Sequence, residues 1–280
     1  MSDSNFTPMT AKDGTNLVVV DWPLEKGPVR GVVLIVHGLG EHAWRYDHVA
    51  ERLNSWGFAV RGYDQYGHGE SMGPRGALPT ADRLLSDLAE VVDESRSRMN
   101  AQTPLILLGH SMGGLVAARF VALDMRTVQG LVLSSPALDP GLSLVQKLLL
   151  AVLPRFAPDM RVGNGVNPAF ISHDQTVVAA YRADPLVHDR ISARLAVFIA
   201  ENGPATVALA AQWKIPTLLM YAGQDKLVQA KGSRAFAQAA PVEVVTARCF
   251  DDLYHELFNE RPPDRETVFA ELRRWLDARF

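Results

Sequence analysis

An apolar run, a glycine-flanked serine and an alanine-rich run follow one another within residues 105–124, and this succession constrains the fold more than any other feature. The serine is Ser111, in the segment Gly109-His-Ser-Met-Gly-Gly114, which matches the pattern G-x-S-x-G. Residues 105–108 are typical of a buried strand and residues 112–124 of a helix, so the serine occupies a strand-turn-helix junction. Such a tight turn needs neighbours without side chains, and the helix dipole favours negative charge at the serine. The junction predicts a nucleophilic Ser111; the alternative is a glycine-rich turn with a capping serine.

Strand and helix patterns alternate on both sides of this junction. Residues 32–36 form a β-branched run typical of a strand buried on both faces, and residues 58–63 and 131–133 also favour strands. The alternation predicts a parallel sheet with helices on both faces. With 280 residues and 48% hydrophobic side chains, the chain is large enough for one large α/β domain.

The alternation stops between about residues 136 and 214. Short apolar helical patterns follow one another there, punctuated by Pro154, Pro158, Pro168, Pro185 and Pro204. The strand pattern resumes at residues 217–221. We therefore expect an α/β core of residues 1–135 and 215–280, interrupted by a helical insertion of residues 136–214. The most apolar stretch of the insertion, residues 142–153, is too short for a membrane span, which needs about 20 residues.

A serine hydroxyl is a weak nucleophile and needs a base. In the fold that carries a G-x-S-x-G turn, the catalytic residues occur along the chain in the order serine, acid, histidine. Only His173, His188 and His255 follow Ser111. His173 and His188 lie in the insertion, away from the expected sheet edge. His255 follows the last strand pattern, residues 242–245, so we predict it as the general base; the alternative is a surface loop histidine.

The acid that orients the histidine is predicted to be Asp225, directly after the strand pattern of residues 217–221. A carboxylate at the C-terminal tip of a sheet strand suits this role. Asp251 and Asp252 are rivals, but they lie only four and three residues before His255. The alternative for Asp225 is simple turn chemistry in Gly-Gln-Asp.

The oxyanion of a tetrahedral intermediate needs two N–H donors. We expect one from the backbone of Met112 and the other from the backbone of Leu39, in the glycine-rich loop of residues 37–40 after the first long parallel strand. The alternative for this loop is an ordinary strand-to-helix turn. Glu41-His42 and Arg45-Tyr46 are expected to support the loop through hydrogen bonds.

Composition excludes several other functions. The net charge of -3 is spread along the chain without a basic block, so no nucleic-acid partner is expected. The sequence has neither H-E-x-x-H nor C-x-x-C, so no metal site is predicted. The single cysteine, Cys249, allows no intrachain disulfide. The N-terminal residues do not follow a secretory pattern, and a cytoplasmic location is expected.

Taken together, these motifs resemble the monoacylglycerol lipase and lysophospholipase branch of the α/β-hydrolase superfamily. The matching segments run in family order from about residue 13 to the C-terminus: His37-Gly-Leu-Gly-Glu-His42, Arg45-Tyr46, Asp64-Gln-Tyr-Gly-His-Gly-Glu-Ser71, Gly109-His-Ser-Met-Gly-Gly114, Gly223-Gln-Asp225 and the His255 segment. Many hydrolases share the serine motif, whereas H-G-x-G-E-H followed by R-Y is more specific to this branch.

The resemblance implies a mostly parallel eight-stranded sheet with a helical cap, which residues 136–214 would form. It implies a serine carboxylic-ester hydrolase that cleaves monoacylglycerol-like or lysophospholipid-like esters through an acyl-enzyme, without a cofactor. It also implies a cap that can contact a membrane peripherally. Residues 142–153 would then form an acyl-chain wall or membrane-facing surface, or else pack against the core. Trp44 departs from the family pattern, in which small residues are common, and leaves substrate size open.

Other functions remain open at this level. The same scaffold supports a small-ester esterase and a peptidase or amide hydrolase. An aminopeptidase needs a carboxylate for the substrate amine, and Glu201 is the only isolated candidate in the insertion. A non-catalytic binding protein with this fold is disfavoured by the complete set of Ser111, Asp225 and His255.

Overall fold

The computed structural model describes residues 5–139, 141, 152 and 156–280. It contains ten strands: β1 (Asn5–Thr10), β2 (Asn16–Trp22), β3 (Gly31–Val36), β4 (Phe58–Asp64), β5 (Leu105–His110), β6 (Gly130–Ser134), β7 (Arg161–Gly163), β8 (Arg190–Ser192), β9 (Thr217–Ala222) and β10 (Val245–Phe250). The described helices are α1 (Asp47–Ser55), α2 (Arg83–Ser97), α3 (Ser111–Ala122), α4 (Gln175–Ala183), α5 (Ala193–Ala208), α6 (Ala230–Ala239) and α7 (Pro262–Asp277).

Eight of these strands form one sheet in the order β1-β2-β4-β3-β5-β6-β9-β10. β1 pairs with β2 and β2 with β4 in antiparallel orientation, and the other neighbours are parallel. The predicted α/β-hydrolase fold with a mostly parallel eight-stranded sheet is confirmed.

Alternate side chains of the central strands enter two separate hydrophobic cores. In β5, Leu105 and Leu107 belong to one core, whereas Ile106 and Leu108 belong to the other. Because strand side chains alternate between faces, continuous apolar runs are needed where helices cover both sides of a sheet. α3 packs against β5 and β6 on one of these faces, which fixes the first turn of α3 at the C-terminal end of β5.

Residues between β6 and β9 add no described strand to this sheet; β7 and β8 pair only with each other. Hydrogen bonds join this region to loops at the C-terminal ends of the sheet strands. The N–H of His188 donates to the carbonyl of Gly40 at 2.9 Å, and the N–H of Ser192 donates to that of Gly76 at 2.8 Å. Ser192 is the N-cap residue directly before helix α5, and its hydroxyl accepts from the Leu195 N–H.

Pro204 lies inside α5 rather than between elements. The division into a core and a cap at residues 136–214 stays a prediction. Residues 142–151 and 153 lie outside the described residues, so the alternatives for the apolar stretch 142–153 also stay predictions. In the described part of the chain, no helix is long and apolar enough to cross a bilayer.

Candidate active site

Ser111 is the first residue of α3 and has φ of +54°, a conformation that is strained for a residue with a side chain. The neighbouring glycines make this turn possible. A Cβ on Gly109 would lie 2.6 Å from the carbonyl oxygen of Gly113, and a Cβ on Gly113 would lie 2.1 Å from that of Val36. The glycines are therefore required because α3 begins in direct contact with β3 and β5.

Asp225 and His255 meet although they follow different strands. Asp225 comes after β9 and His255 after β10, and Nδ1 of His255 lies 2.6 Å from Oδ2 of Asp225. The other carboxylate oxygen, Oδ1, accepts the N–H groups of Leu227 and Val228 at 2.8 and 2.9 Å. Asp225 thus forms the turn and orients the imidazole at the same time. Its rivals, Asp251 and Asp252, are exposed.

The electrostatics of this pair agree with an ionised carboxylate and a basic imidazole. Burial by itself raises the pKa of Asp225, but the charge and hydrogen bond of His255 outweigh burial and lower it. Burial by itself lowers the pKa of His255, but the Asp225 charge and hydrogen bond outweigh it and raise that pKa above its ordinary value. Because Nδ1 donates to Asp225, the lone pair of the neutral ring lies on Nε2.

Ser111 and His255 open into one cavity of about 310 Å³. Leu39 and Met112 line the same cavity. Four of the five predicted site residues therefore line one cavity. The fifth, Asp225, lies behind His255 and is bonded to it.

The two predicted oxyanion donors differ in how their N–H groups are left free. Met112 is the second residue of α3, where N–H groups have no intrahelical acceptor. In the other loop, the Gly38 N–H donates to Oε1 of Glu41 at 2.5 Å, whereas the Leu39 N–H has no acceptor among the described residues. Their role as donors stays a prediction.

Sequence reasoning missed Glu256, which belongs to a buried ionic network. Arg45 donates to Oε2 of Glu41 and makes two bonds with Glu256, at 2.8 and 2.7 Å. Oε1 of Glu41 also accepts from the hydroxyl of Tyr46 at 2.7 Å. Burial raises the pKa of Glu41, but Arg45 outweighs it and holds that pKa below the usual range. Glu256 is 211 residues from Arg45, and no local pattern marks such a pairing.

His110 was also missed, because the motif assigns no role to the residue before the serine. Its ring centroid lies 4.7 Å from that of His255, and its Nδ1 lies 3.1 Å from the carbonyl oxygen of Ser134. Burial, and then the neighbouring His255, lowers the pKa of His110 to about 4. A second, neutral imidazole therefore lines the cavity.

Trp44, the departure from the family pattern, packs edge-on against Trp22.

Among the described residues, no group of three or more His, Cys, Asp or Glu side chains could hold a metal ion. Cys249 lies in β10, and burial raises the pKa of its thiol to about 11. This thiol is therefore protonated at neutral pH and is a poor nucleophile.

The chain is similar to one known protein family and to several individual proteins. Residues 27–262 match a family model described as serine aminopeptidase, S33. A monoacylglycerol lipase of Mycolicibacterium smegmatis is 35% identical over 272 residues, which cover 94% of this chain and 93% of that protein. The crystal structure of Paleococcus ferrophilus monoacylglycerol lipase is 33% identical with a TM-score of 0.85, covering 94% of this chain and 99% of that one. An uncharacterized abhydrolase domain-containing protein of Dictyostelium discoideum is 30% identical over 281 residues, and the chain spans 29% of that protein's length.

Proposed function

Because the chain belongs to the family described as serine aminopeptidase, S33, and to the monoacylglycerol lipase-like branch of the α/β-hydrolases, we propose that it hydrolyses carboxylic esters with one acyl chain, such as monoacylglycerols or lysophospholipids. The observation that carries the proposal is the cavity shared by Ser111 and His255, with Asp225 bonded to His255 at 2.6 Å.

In the proposed reaction, Oγ of Ser111 attacks the ester carbonyl while Nε2 of His255 takes the hydroxyl proton. Asp225 holds the imidazole and stabilises its protonated form. The N–H groups of Leu39 and Met112 stabilise the oxyanion of the tetrahedral intermediate. His255 then gives its proton to the departing alcohol, which leaves an acyl-enzyme on Ser111. Water, activated by His255, attacks this ester, and the free acid departs.

The lining of the cavity supports an ester that joins an apolar chain to a polar alcohol. Apolar walls come from Ile171, Ile191, Ala196, Ile199, Leu227 and Val228. Polar atoms come from Glu41, His110, Asn164, Tyr181 and Glu256. At about 310 Å³, the cavity lies near the lower end of the ~300–1,000 Å³ common for ligand pockets. This size favours a substrate with one acyl chain over one with two or three.

A substrate panel tests the proposal. It comprises p-nitrophenyl esters from acetyl to long acyl chains, a monoacylglycerol, and lysophosphatidylcholine. We expect kcat/KM to rise beyond acetyl and to be highest for a single-chain acyl ester, with a fluorophosphonate probe labelling Ser111. A preference for the acetyl ester would replace the proposal with a small-ester esterase, and a folded chain that the probe does not label would contradict hydrolysis altogether.

The peptidase alternative has less support. Its candidate amine ligand, Glu201, lies exposed on α5 and does not line the cavity. The two carboxylates that do line it, Glu41 and Glu256, are both bonded to Arg45. An aminoacyl p-nitroanilide added to the panel gives the comparison; we expect its kcat/KM to lie far below that of the best ester.

We also propose peripheral contact with a membrane surface through the described residues around β7. Val152, Phe156, Met160 and Val162 expose apolar side chains there, and Phe156 is 83% exposed. Exposed large apolar side chains that lie close together in the chain suit insertion into the interfacial layer of a bilayer. Flotation with phosphatidylcholine vesicles tests this; Phe156→Ser should weaken binding without changing turnover of a soluble ester.

A further inference from the structure

The side chain of Arg45 joins three parts of the chain that surround the cavity. Its guanidinium bonds to Glu41 in the loop after β3 and, through two bonds, to Glu256 in the loop after β10. The same group lies 4.7 Å from the ring centroid of Tyr181 on α4. The side chains of Arg45, Glu41 and Glu256 are each at most one-tenth exposed.

Each carboxylate bound by Arg45 stands beside a residue of the proposed reaction. Glu41 accepts the Gly38 N–H at 2.5 Å and thereby fixes the His37–Gly38 peptide, which directly precedes the peptide that carries the Leu39 N–H. Glu256 directly follows His255, and its own N–H donates to the carbonyl of Ile171 at 2.8 Å. One guanidinium thus connects the loop that carries an oxyanion donor to the loop that carries the base.

From this geometry we propose that Arg45 is a positioning residue, which holds the Leu39 N–H and the His255 imidazole at the spacing required by the tetrahedral intermediate. The inference rests on the proposed function, because it assigns Arg45 a part in that reaction. Arg45 itself does not line the cavity, so it acts through Glu41 and Glu256.

Stability alone is a weak reason for this network. Desolvation of buried charges offsets much of their attraction, so apolar replacements of buried ion pairs are often as stable. Planar bidentate pairing, by contrast, fixes the orientation of both partners, which is useful where small displacements slow a reaction.

Arg45 also balances the charges around the base. The titratable groups that face His255 are Asp225, Glu41, Glu256 and the neutral His110. The charges of Glu41 and Glu256 both raise the pKa of His255. Loss of the arginine charge leaves these two carboxylates uncompensated, whereas loss of Glu256 removes one of them. The two changes therefore shift the pH profile of kcat/KM in opposite directions.

The test compares Arg45→Lys, Arg45→Met and Glu256→Gln with the control Arg52→Met. Arg52 is a matched control because it makes a bidentate pair with Glu266, at 2.9 and 2.8 Å, and lies 4.9 Å from the Phe269 ring, yet does not line the cavity. Each variant is measured for thermal unfolding, for kcat and KM on the best ester of the panel, and for the pH profile of kcat/KM. Fluorophosphonate titration counts the reactive sites.

We expect Arg45→Lys to lower kcat per labelled site about 10- to 100-fold with little change in KM, because the lost geometry acts on the transition state. Because the lysine keeps the positive charge, the acid limb of the pH profile of kcat/KM should stay at the same pH in this variant. Arg45→Met should lower kcat as well and move the acid limb to higher pH, and Glu256→Gln should move it to lower pH. Arg52→Met should change none of these.

An Arg45→Lys enzyme with kcat per labelled site within twofold of the parent overturns the inference. So does loss of activity that merely follows the fraction of unfolded protein. If Arg45→Met does not fold, Arg45→Lys and Glu256→Gln still decide the matter. Failure of the probe to label the unmodified chain would instead contradict the proposed function itself.

Discussion

Nδ1 of His255 lies 2.6 Å from Oδ2 of Asp225, whose second oxygen accepts two backbone N–H groups of its own turn. Both carboxylate oxygens therefore accept hydrogen bonds. The backbone of its own turn holds this carboxylate independently of the histidine. The carboxylate in turn holds the imidazole in one tautomer.

Substitution Asp225→Asn should lower kcat by about 10³–10⁴-fold, because an amide no longer stabilises the imidazolium and can favour the wrong tautomer. Steady-state kinetics on the best ester measures this. Asp251→Asn and Asp252→Asn serve as controls, since both side chains are exposed and should leave kcat unchanged. Nearly full activity in Asp225→Asn would show that another carboxylate orients His255.

The pH profile of kcat/KM should rise through an apparent pKa above 6.5, the ordinary value for histidine, because Asp225 raises the pKa of His255. The base must be neutral, so activity is lost as pH falls through that raised value. Removal of the carboxylate charge in Asp225→Asn should move the acid limb to lower pH. An unchanged limb in this variant would mean that the limb reports a different group.

Gly113→Ala should destabilise the protein by at least about 2 kcal/mol, because the backbone at the C-terminal end of β3 cannot yield to a new methyl group. The Cβ would lie 2.1 Å from the Val36 carbonyl oxygen and 2.3 Å from that of His37. Urea unfolding measures the change. Gly163→Ala is the control, since nothing lies within 4 Å of its Cβ, and its free energy of unfolding should stay within about 1 kcal/mol of the parent.

Gly40→Ala and Gly14→Ala separate backbone strain from the contact between Gly40 and His188. Both glycines have positive φ, +77° and +84°. A Cβ on Gly40 would lie 2.4 Å from the His188 carbonyl oxygen, whereas Gly14 has nothing within 4 Å. Gly14→Ala should cost about 1–2 kcal/mol of stability and leave kcat unchanged. Gly40→Ala should cost more and also lower kcat, since it displaces the loop of Leu39. Equal effects on kcat would mean that the position of residue 188 does not influence the reaction.

The predictions that the structure matches concern short segments with a local cause. The glycines around Ser111 and the apolar run before it predict a strand-turn-helix junction, because side-chain size and hydrophobic period act over a few residues. The position of Asp225 also follows locally, from the end of a strand pattern. Glu256 and His110 were missed for the opposite reason. Their partners, Arg45 and His255, are 211 and 145 residues away in sequence.

By itself, the sequence determined the alternation of strands and helices that predicts a parallel sheet, and the order in which Ser111, Asp225 and His255 occur; the eight strands of an α/β-hydrolase sheet were expected from the family resemblance. Hydrophobic period and turn chemistry are properties of neighbouring residues, so one chain is enough to show them. Only the tertiary structure decided that Asp225 Oδ2 faces His255, that Arg45 joins two distant loops, and that His188 lies against Gly40. These contacts depend on how crossover connections bring strand ends together, which no local pattern specifies.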